Sequence, residues 1–555
     1  MNKKLLTMGL AALLMAGCSS DDVVGENNDG DASAVKGYVG ITIALPSTSA
    51  SRAVVYDEGT PEEYAVNDVT LLFFNGDDEL KQVTQFKAGD FTWTPAEGSP
   101  DGITTETVLP VVPLKDNSAT NVLAIVNNNN SLLKVTSSTL DGNGLIENAG
   151  SLKGKTDVAI TNKATLLKAI ESTNVTDFTS NGYFMSSAAI STLADGDRLF
   201  TVIVPKKSKQ EAMDNAKNTV IHVERIVGKA TVQHAAAGWT NWTYKITTST
   251  SAFYEDQIEF KNWALDLTNT KTYPFHKVST EATKDNGFDK WTEVSLFEGN
   301  QERYMWAIDP NYSADLGTGE LAPTAVANVD KDLGAPLYCL ENTFDANHMT
   351  QPQTTRLLLK AQYTPSAAHV TGDDTKGSVT GLGWFRLGES TQAYTLQGIE
   401  AELLAKAQVI HSDATAVTVS NLKVGKAAFS KTGDNQISVT GGTWNDDDFD
   451  KLINMAGKLT FFQEGFCYYP VLIKHFAQPW NNENYLTGAA NDNAFLGRYG
   501  IVRNNWYEIT INKVSAPGEP VYPTVPDLAD DVTNYYIQAT VKILDWAKRS
   551  QSVDL

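Results

Sequence analysis

The amino-acid sequence predicts an all-β protein with minor helices, arranged as antiparallel β-sandwiches. Short segments in which apolar and polar side chains alternate recur along the chain, and turn formers such as the Asn-Gly-Asp-Asp run at residues 75–78 separate them. Few stretches have helical spacing, and strands and helices do not alternate as they do around a parallel sheet. Because 555 residues exceed one ordinary core, two sandwich domains are expected, at residues 53–236 and 237–515.

The first domain consists mainly of predicted strands. DVTLLFFN at residues 68–75 runs into the turn just named, and NVLAIVN at residues 121–127 ends in a run of asparagines. RLFTVIVP, residues 198–205, and the long segment NTVIHVERIVGKATVQ, residues 218–233, close the domain. One helix is expected in this domain, at KATLLKAIES, residues 163–172.

The second domain repeats this character. Apolar alternation predicts strands at residues 254–269, 354–365, 466–476 and 504–514. A single helix is expected at GIEAELLAKAQVI, residues 398–410, because its apolar side chains recur every three to four residues. No repeat of 20 to 50 residues is visible, which disfavours a solenoid or a propeller.

Two more strands with period-two spacing lie at the ends of the chain. Residues 37–45 have one apolar face and precede a small, polar loop that contains Arg52, the kind of loop that proteases cut. Residues 535–543 have a similar face and follow a proline-broken tether that begins at residue 516. A lone strand on a tether needs a sheet edge to pair with, in its own subunit or in another. The apolar positions of the two strands are Val39, Ile41, Ile43 and Leu45, and Tyr535, Ile537, Ala539, Val541 and Ile543.

The start of the chain predicts export. Two lysines precede an apolar run, residues 5–16, that is too short for a permanent membrane span. Residues 15–18, Met-Ala-Gly-Cys, resemble a bacterial lipobox, so residues 1–18 are expected to form a lipoprotein signal peptide region with Cys18 as the lipidated residue. A plain secretory signal with an incidental cysteine is the alternative.

The net charge argues against one class of partner. The formal charge is −22 and the pI is about 4.7. Binding to nucleic acid is driven by Lys and Arg that displace counterions from phosphates. Nucleic acid is therefore excluded as an expected partner, whereas an acidic surface suits a protein displayed at high local density.

No catalytic, cofactor or metal site is predicted. The seven histidines are scattered, without an HExxH pattern, and no CxxC pair occurs. Residues 150–156 mimic a P-loop, but three residues rather than four separate the glycines. The Asn-Asp-Asp-Asp run at residues 445–448 is expected to be a solvated turn rather than a calcium loop. Cys339 and Cys467 lie in apolar segments and either stay free and buried or pair with each other.

Several segments together resemble the fimbrillins, the type V pilins of Bacteroides and Porphyromonas, and most of all the minor fimbrillin type. The most specific is the Arg-Asn-Asn-Trp-Tyr run within YGIVRNNWYEITINKV, residues 499–514. Each of the other motifs would be weak alone, but together they span nearly the whole chain. They are VLAIVN at residues 122–127, HVERIVGKATV at 222–232, YCLENT at 338–343 and RLLLKAQYTP at 356–365.

The resemblance implies two tandem transthyretin-like β-sandwich domains and export through the periplasm as an outer-membrane lipoprotein. In this family a trypsin-like protease cuts the N-terminal loop, which here places the cut after Arg52 and before Ala53 and makes residues 19–52 a propeptide. Loss of residues 37–45 then opens a groove in the N-terminal domain. The C-terminal strand of a neighbouring subunit, within residues 516–555, fills that groove by β-strand addition.

The function that the resemblance implies is a structural, non-enzymatic subunit of a fimbrial shaft. Its expected partners are copies of itself, accessory fimbrial subunits, the processing protease, host or bacterial surface receptors and, through the lipid on Cys18 before cleavage, the outer membrane. Two alternatives stay open. Before assembly the C-terminal strand can pair within its own chain, and the protein can instead be a monomeric surface lipoprotein that binds a glycan or a host protein.

Overall fold

The fold is all-β with few helices in the part of the chain that the computed structural model describes, which confirms the predicted class. The described residues are 35–44, 60–91, 106–116, 118–128, 133–135, 145–146, 152–154, 157–168, 170–171, 175–188, 201–247, 255–276, 309–310, 329–344, 348–373, 382–388, 390–427, 429–475, 499–523, 525, 528, 537–545 and 549–550. Of the side chains in the last two segments nothing is stated below, and their backbone alone is used.

Most described strands of the N-terminal half have two or three residues, and four of them have six to eight. They are β1 (Gly37–Val39), β2 (Thr42–Ala44), β3 (Asp68–Asn75), β4 (Leu80–Lys87), β5 (Glu106–Val108), β6 (Val112–Leu114), β7 (Ala119–Val126), β8 (Leu133–Val135), β9 (Leu145–Ile146), β10 (Leu152–Gly154), β11 (Ile170–Glu171), β12 (Met185–Ser187), β13 (Thr201–Val202) and β14 (Val220–Arg225).

The strands of the C-terminal half include the longest of the described chain. They are β15 (Val227–His234), β16 (Trp239–Thr240), β17 (Thr243–Thr247), β18 (Glu255–Asp266), β19 (Lys271–Thr272), β20 (Lys331–Asp332), β21 (Leu337–Leu340), β22 (Arg356–Thr364), β23 (Val370–Thr371), β24 (Gly383–Leu387), β25 (Ala393–Tyr394), β26 (Ala416–Ser420), β27 (Gly425–Ala427), β28 (Gln436–Thr440), β29 (Leu459–Gln463), β30 (Phe466–Leu472), β31 (Asn505–Val514), β32 (Ile537–Asp545) and β33 (Arg549–Ser550).

The helices only partly follow the sequence prediction. The α4 helix confirms the helix expected at residues 398–410, and it begins slightly earlier because Thr395 caps it by accepting a hydrogen bond from the Gly398 amide. The α2 helix is much shorter than the one expected at residues 163–172, since the following residues form β11 and pair with β19. The described helices are α1 (Pro61–Tyr64), α2 (Lys163–Leu166), α3 (Lys209–Asp214), α4 (Leu396–Ile410) and α5 (Asp446–Ala456).

The acidic run at residues 445–448 is the start of a helix, so the expected solvated turn is wrong. The side chain of Asn445 accepts a hydrogen bond from the Asp448 amide, and the Asp448 carboxylate turns back towards the Asn445 amide. This reciprocal capping satisfies two amides that a helix start leaves without partners. Acidic residues also suit the positive end of the helix dipole, so the run serves α5.

The N-terminal sheet has the strand order β5-β2-β14-β12-β7-β3-β4-β9, with β13 also on β7, and β1 pairs separately with β6. One hydrophobic core lies against it, and the VLAIVN segment in β7 contributes side chains that are entirely buried. The asparagine that ends this segment, Asn127, has a positive φ of 57° and donates from Nδ2 to the carbonyls of Ala65 and Tyr183, both at 2.8 Å. The asparagine therefore ends the strand and ties it to two neighbouring segments.

The C-terminal half contains two hydrophobic cores among the described residues. The sheets β21-β15-β31-β32-β33 and β16-β17-β18-β22-β30 both contribute side chains to the first of these cores, together with β24, β25 and β29. The second core lies between the sheet β23-β25-β24-β29-β27, the pair β26-β28 and the helices α4 and α5. Phe385 and Phe461, stacked at a centroid distance of 4.6 Å, lie inside this additional core.

The chain changes sheets at Ile226. The strand before this residue, β14, belongs to the N-terminal sheet, and the strand after it, β15, pairs with β21 and β31. The change of sheet therefore comes about ten residues before the boundary expected at residue 236, and that boundary, like the division into two domains, stays a prediction. The sheets are also not wholly antiparallel, since β2–β14, β15–β31 and β23–β25 are parallel pairs among the described strands.

A buried polar cluster joins the two halves at this change of sheet. The carboxylate of Glu63 lies 2.8 Å from Lys229 Nζ and accepts a hydrogen bond of 2.6 Å from the Tyr338 hydroxyl. Arg225 Nε donates to the Glu63 carbonyl at 2.8 Å, and Lys229 Nζ lies 3.7 Å from the ring centroid of Trp506. The cluster thus links α1, β14, β15, β21 and β31, and burial, together with the hydrogen bond to Glu63, raises the pKa of Tyr338.

We predict that Glu63→Gln destabilises the protein by about 3 kcal/mol, because removing one partner of a buried ion pair leaves the other charge uncompensated. Urea unfolding followed by tryptophan fluorescence measures the change, since Trp506 lies against Lys229. The control is Glu255→Gln, which breaks an exposed pair with Lys245 at 3.3 Å and should leave the unfolding midpoint unchanged. Equal midpoints for the two variants would contradict the prediction.

Candidate assembly site

The first strand of the chain lies between two backbone edges. In β1, Gly37 pairs with Leu114 of β6, and the Lys36 amide donates to the Leu114 carbonyl at 2.7 Å. On the other edge, Tyr38 and Lys206 exchange two backbone hydrogen bonds, of 2.9 and 2.7 Å. The segment is therefore hydrogen-bonded on both sides by residues that come much later in the chain.

The same holds for β2. Thr42 pairs with Val108 of β5 in an antiparallel register and with Val220 of β14 in a parallel register. Between β1 and β2, the Ile41 carbonyl accepts from the Leu109 amide at 2.9 Å. Residues 37–44 thus lie in a slot, and without them β5 and β14 would each lose a strand neighbour.

Both faces of the strand are buried. The sequence predicts one apolar face, and the side chains of Val39, Ile41 and Ile43 lie in the N-terminal core with at most 2% of their surface exposed, whereas Leu45 lies outside the described residues. Of the intervening residues, Gly40, Thr42 and Ala44 are buried and Tyr38 is half-buried.

The second face lies against residues 209–218, which we name the cover segment and which consist of α3 and the following 3₁₀ turn, Ala216–Asn218. The Thr42 hydroxyl donates to the Ala216 carbonyl at 3.0 Å, and the Thr42 amide donates to the Thr219 carbonyl at 2.9 Å. The sequence alone does not reveal this cover, because it lies about 170 residues further along the chain. The alternation of small and large side chains in GYVGITIA is the signal that could have indicated it.

The C-terminal strand pairs within its own chain in this structure. The β32 strand runs antiparallel to β31, with Ile537 opposite Val514, Ala539 opposite Ile511, Val541 opposite Ile509 and Ile543 opposite Tyr507. A short strand, β33, pairs with the end of β32. This is the arrangement that the sequence left open for a chain before assembly, and Tyr535 lies outside the described residues.

The platform beneath β32 is β31, and the Arg-Asn-Asn-Trp-Tyr run builds its start. Arg503 is buried and bonds to the Glu341 carboxylate at 3.1 Å, while Asn504 has a positive φ of 58° and accepts from the Arg225 amide and guanidinium. The Trp506 ring nitrogen donates to Thr231 of the parallel neighbour β15 at 2.7 Å. The run therefore fixes where β31 enters the sheet.

A buried histidine supports the same platform. His475 Nδ1 lies 2.7 Å from the Tyr507 hydroxyl, which also accepts a hydrogen bond of 2.8 Å from the Val502 amide. Burial disfavours the charged imidazolium and lowers the pKa of His475 to about 3. His475 is therefore neutral beneath β31 at neutral and mildly acidic pH.

The remaining predicted site residues lie outside the described residues, namely Cys18, Arg52 and Ala53. Cys339 and Cys467 are both buried and free, and burial raises the pKa of each thiol to about 12, so the structure supports the free alternative. Within the described segments no three His, Cys, Asp or Glu side chains are grouped as a metal site would need, and no helix is long and apolar enough to cross a membrane.

Comparison with known families finds a match in the C-terminal part of the chain. Residues 460–552, which contain β30, β31, β32 and β33, match the family model described as "Major fimbrial subunit protein type IV, Fimbrillin, C-terminal". The match supports the resemblance to the fimbrillins over the C-terminal part of this chain. No curated protein sequence matches the chain.

Solved structures give more distant likenesses. The chain is 13% identical to a fimbrillin from Porphyromonas gingivalis, with 92% of this chain and 99% of that one covered at a TM-score of 0.34. It is 11% identical to the tip fimbrial protein Mfa3 of the same organism, with 92% and 100% covered at a TM-score of 0.30. A candidate cell adhesion protein from Parabacteroides distasonis is 11% identical, with 93% and 98% covered at a TM-score of 0.38. The family match, and not these likenesses, supports the relationship.

We predict that acid weakens the C-terminal half through His475. Its pKa is lowered to about 3 in the folded chain and is about 6.5 when unfolded. Below pH 6.5 the unfolded chain therefore binds a proton that the folded chain does not, and stability falls by at most about 1.4 kcal/mol per pH unit. Urea unfolding at pH 7.0, 6.0 and 5.0 measures this slope.

His475→Gln should flatten the slope, because glutamine does not titrate. Tyr507→Phe is the matched control, since it also removes the His475–Tyr507 hydrogen bond but keeps the titrating ring, and it should retain the wild-type slope. A His475→Gln variant with the full wild-type slope would refute the assignment.

Proposed function

We propose that this protein is the subunit of a cell-surface fimbrial shaft that polymerises by strand replacement. The protein is exported through the periplasm as a lipoprotein anchored by Cys18 and is cleaved after Arg52 by a trypsin-like protease. Residues 37–44 then leave their slot, and the C-terminal strand of another copy replaces them. The resulting fibre, with accessory fimbrial subunits, supports adhesion to host or bacterial surface receptors.

The position of the first strand is the observation that carries the proposal. Residues 37–44 are hydrogen-bonded on both edges and buried on both faces. Arg52 follows this segment and precedes β3, so a cut after Arg52 leaves the strand held by non-covalent contacts alone. A cut after Lys36 would instead leave the strand attached to the domain.

Removal of residues 37–44 would leave the slot with exposed apolar surface and unpaired strand edges. Loss of Val39, Ile41 and Ile43 removes about 5 to 9 kcal/mol of apolar burial, and the edges of β5 and β14 lose their hydrogen-bond partners. An extended chain with apolar side chains at alternate positions satisfies both needs, because backbone bonds form along the edge while side chains enter the core. Residues 535–543 have this pattern.

The proposed donor strand, β32, lies near the edge of its sheet. In the sheet β21-β15-β31-β32-β33, the strand β32 follows β31 and has only the two-residue β33 on its other side among the described strands. Its release therefore exposes one edge of the sheet without dividing it. A second copy gains a strand by the same event.

We predict that purified precursor treated with trypsin acquires Ala53 as its N-terminus and forms polymers that resist unheated detergent on a gel. Arg52→Ala should block both results, because the strand then stays covalently attached. Lys36→Ala is the matched control and should process and polymerise like the wild type. Persistent monomer after complete cleavage at Arg52 would overturn the proposal.

We also predict that deletion of residues 534–555 abolishes homopolymers. The cleaved truncated protein should still accept a donor strand from wild-type subunits, because its slot is intact. Added to a wild-type reaction, it should therefore shorten the polymers in proportion to its concentration. Long fibres formed by the truncated protein alone would refute the donor role of the C-terminal strand.

A further inference from the structure

We infer that residues 209–218, the cover segment, admit the chain's own first strand because of Gly40 and exclude the donor strand until they move. This inference rests on the proposed function, and it adds a step to assembly. The cover segment must leave its position before or while the donor strand enters the slot. Gly40 is then the residue that distinguishes the strand to be replaced from its replacement.

The contact at Gly40 carries the inference. A methyl carbon built on Gly40 would lie 2.1 Å from the carbonyl oxygen of Ala212 and 2.8 Å from the Cβ of Ala216. Non-bonded heavy atoms do not approach this closely, because their optimal separation is about 3.5 Å or more. Any residue other than glycine therefore requires α3 to shift, and because the nearest atom belongs to the backbone, a change of side-chain rotamer cannot relieve the contact.

The cover segment is seated firmly when glycine is present. The side chains of Ala212 and Ala216 are buried, and the Thr42 hydroxyl donates to the Ala216 carbonyl at 3.0 Å. Ser208 caps the start of α3 by accepting from the Glu211 amide at 3.2 Å. Met213, one residue after Ala212, is exposed, so another side of the cover segment meets solvent.

The donor strand has no glycine to place at this position. Its apolar residues occupy odd positions, and when these face the core its even positions face the cover segment. Every even residue has a Cβ atom. If the donor strand shifts by two residues, another even residue takes the position of Gly40, so a Cβ atom lies against the cover segment in every such register. The even residues are Tyr536, Gln538, Thr540, Lys542 and Leu544.

This steric difference prevents a donor strand from displacing the first strand of an uncleaved protein. A donor strand from another copy cannot compete for a slot whose cover segment is closed on Gly40, even where its apolar face matches. Cleavage is then not the only requirement for assembly, since the cover segment must also open. The same contact favours return of the first strand until it has diffused away.

The first experiment compares full-length, uncut precursors by amide hydrogen exchange. Gly40→Ala should speed exchange in residues 209–218 at least tenfold, because the added methyl displaces α3. Gly76→Ala is the matched control, since a methyl built on Gly76 meets no atom within 4 Å, and it should leave that exchange unchanged. Equal exchange in the two variants would overturn the inference. This comparison tests the contact between Gly40 and the cover segment without any polymer. Failure of the wild type to polymerise would contradict the proposed function but would not affect this test.

The second experiment places glycine in the donor strand, one even position at a time. The variants Tyr536→Gly, Gln538→Gly, Thr540→Gly, Lys542→Gly and Leu544→Gly are cleaved and their polymerisation rates are measured. One of them should polymerise several-fold faster than wild type, because its glycine meets the cover segment, and that position gives the register of the donor strand. The matched control, Val541→Gly, removes an apolar side chain and should be slower. If no even-position glycine speeds assembly, the cover segment does not select against the donor strand.

Discussion

The N-terminal half depends on a single strand that is enclosed on every side. Residues 37–44 provide hydrogen bonds to β5, β6 and β14, three apolar side chains to the core and small residues to the cover segment. Among the described strands, β5 and β6 have no other strand partner, whereas β14 also pairs with β12. The short strand therefore contributes to cohesion out of proportion to its length.

The two halves are held in register by buried charge rather than by apolar packing alone. Glu63, Arg225 and Lys229 meet where the chain leaves one sheet for the other, and the Glu341–Arg503 pair lies at the start of β31. Buried charges are costly unless their partners are well placed. The junction therefore tolerates little rotation, which explains why the Arg-Asn-Asn-Trp-Tyr run contains so many polar residues in a buried position.

Alternation along the chain was enough to predict the strands and the apolar face of residues 37–45, because period two reports directly on burial of one face. It could not predict burial of the other face, since the cover segment is distant in sequence, nor the parallel pairing of β2 with β14. Contacts between residues that are distant in sequence also explain the short α2 and the additional core around α4. Pairing with β19 shortens the helix expected at residues 163–172, and the core joins elements that local patterns treat separately.

The parallel pair β15–β31 sets the order in which the protein can fold. The two strands are separated by some 270 residues, so β15 must wait for nearly the entire chain before it gains this neighbour. Closing so long a loop is slow, and exposed strand edges invite aggregation in the meantime. A chain delivered from its N-terminus can complete the first sheet as soon as β14 arrives, whereas the second sheet forms only after the last fifty residues appear. We therefore expect the slot that holds residues 37–44 to be complete before β32 exists as structure.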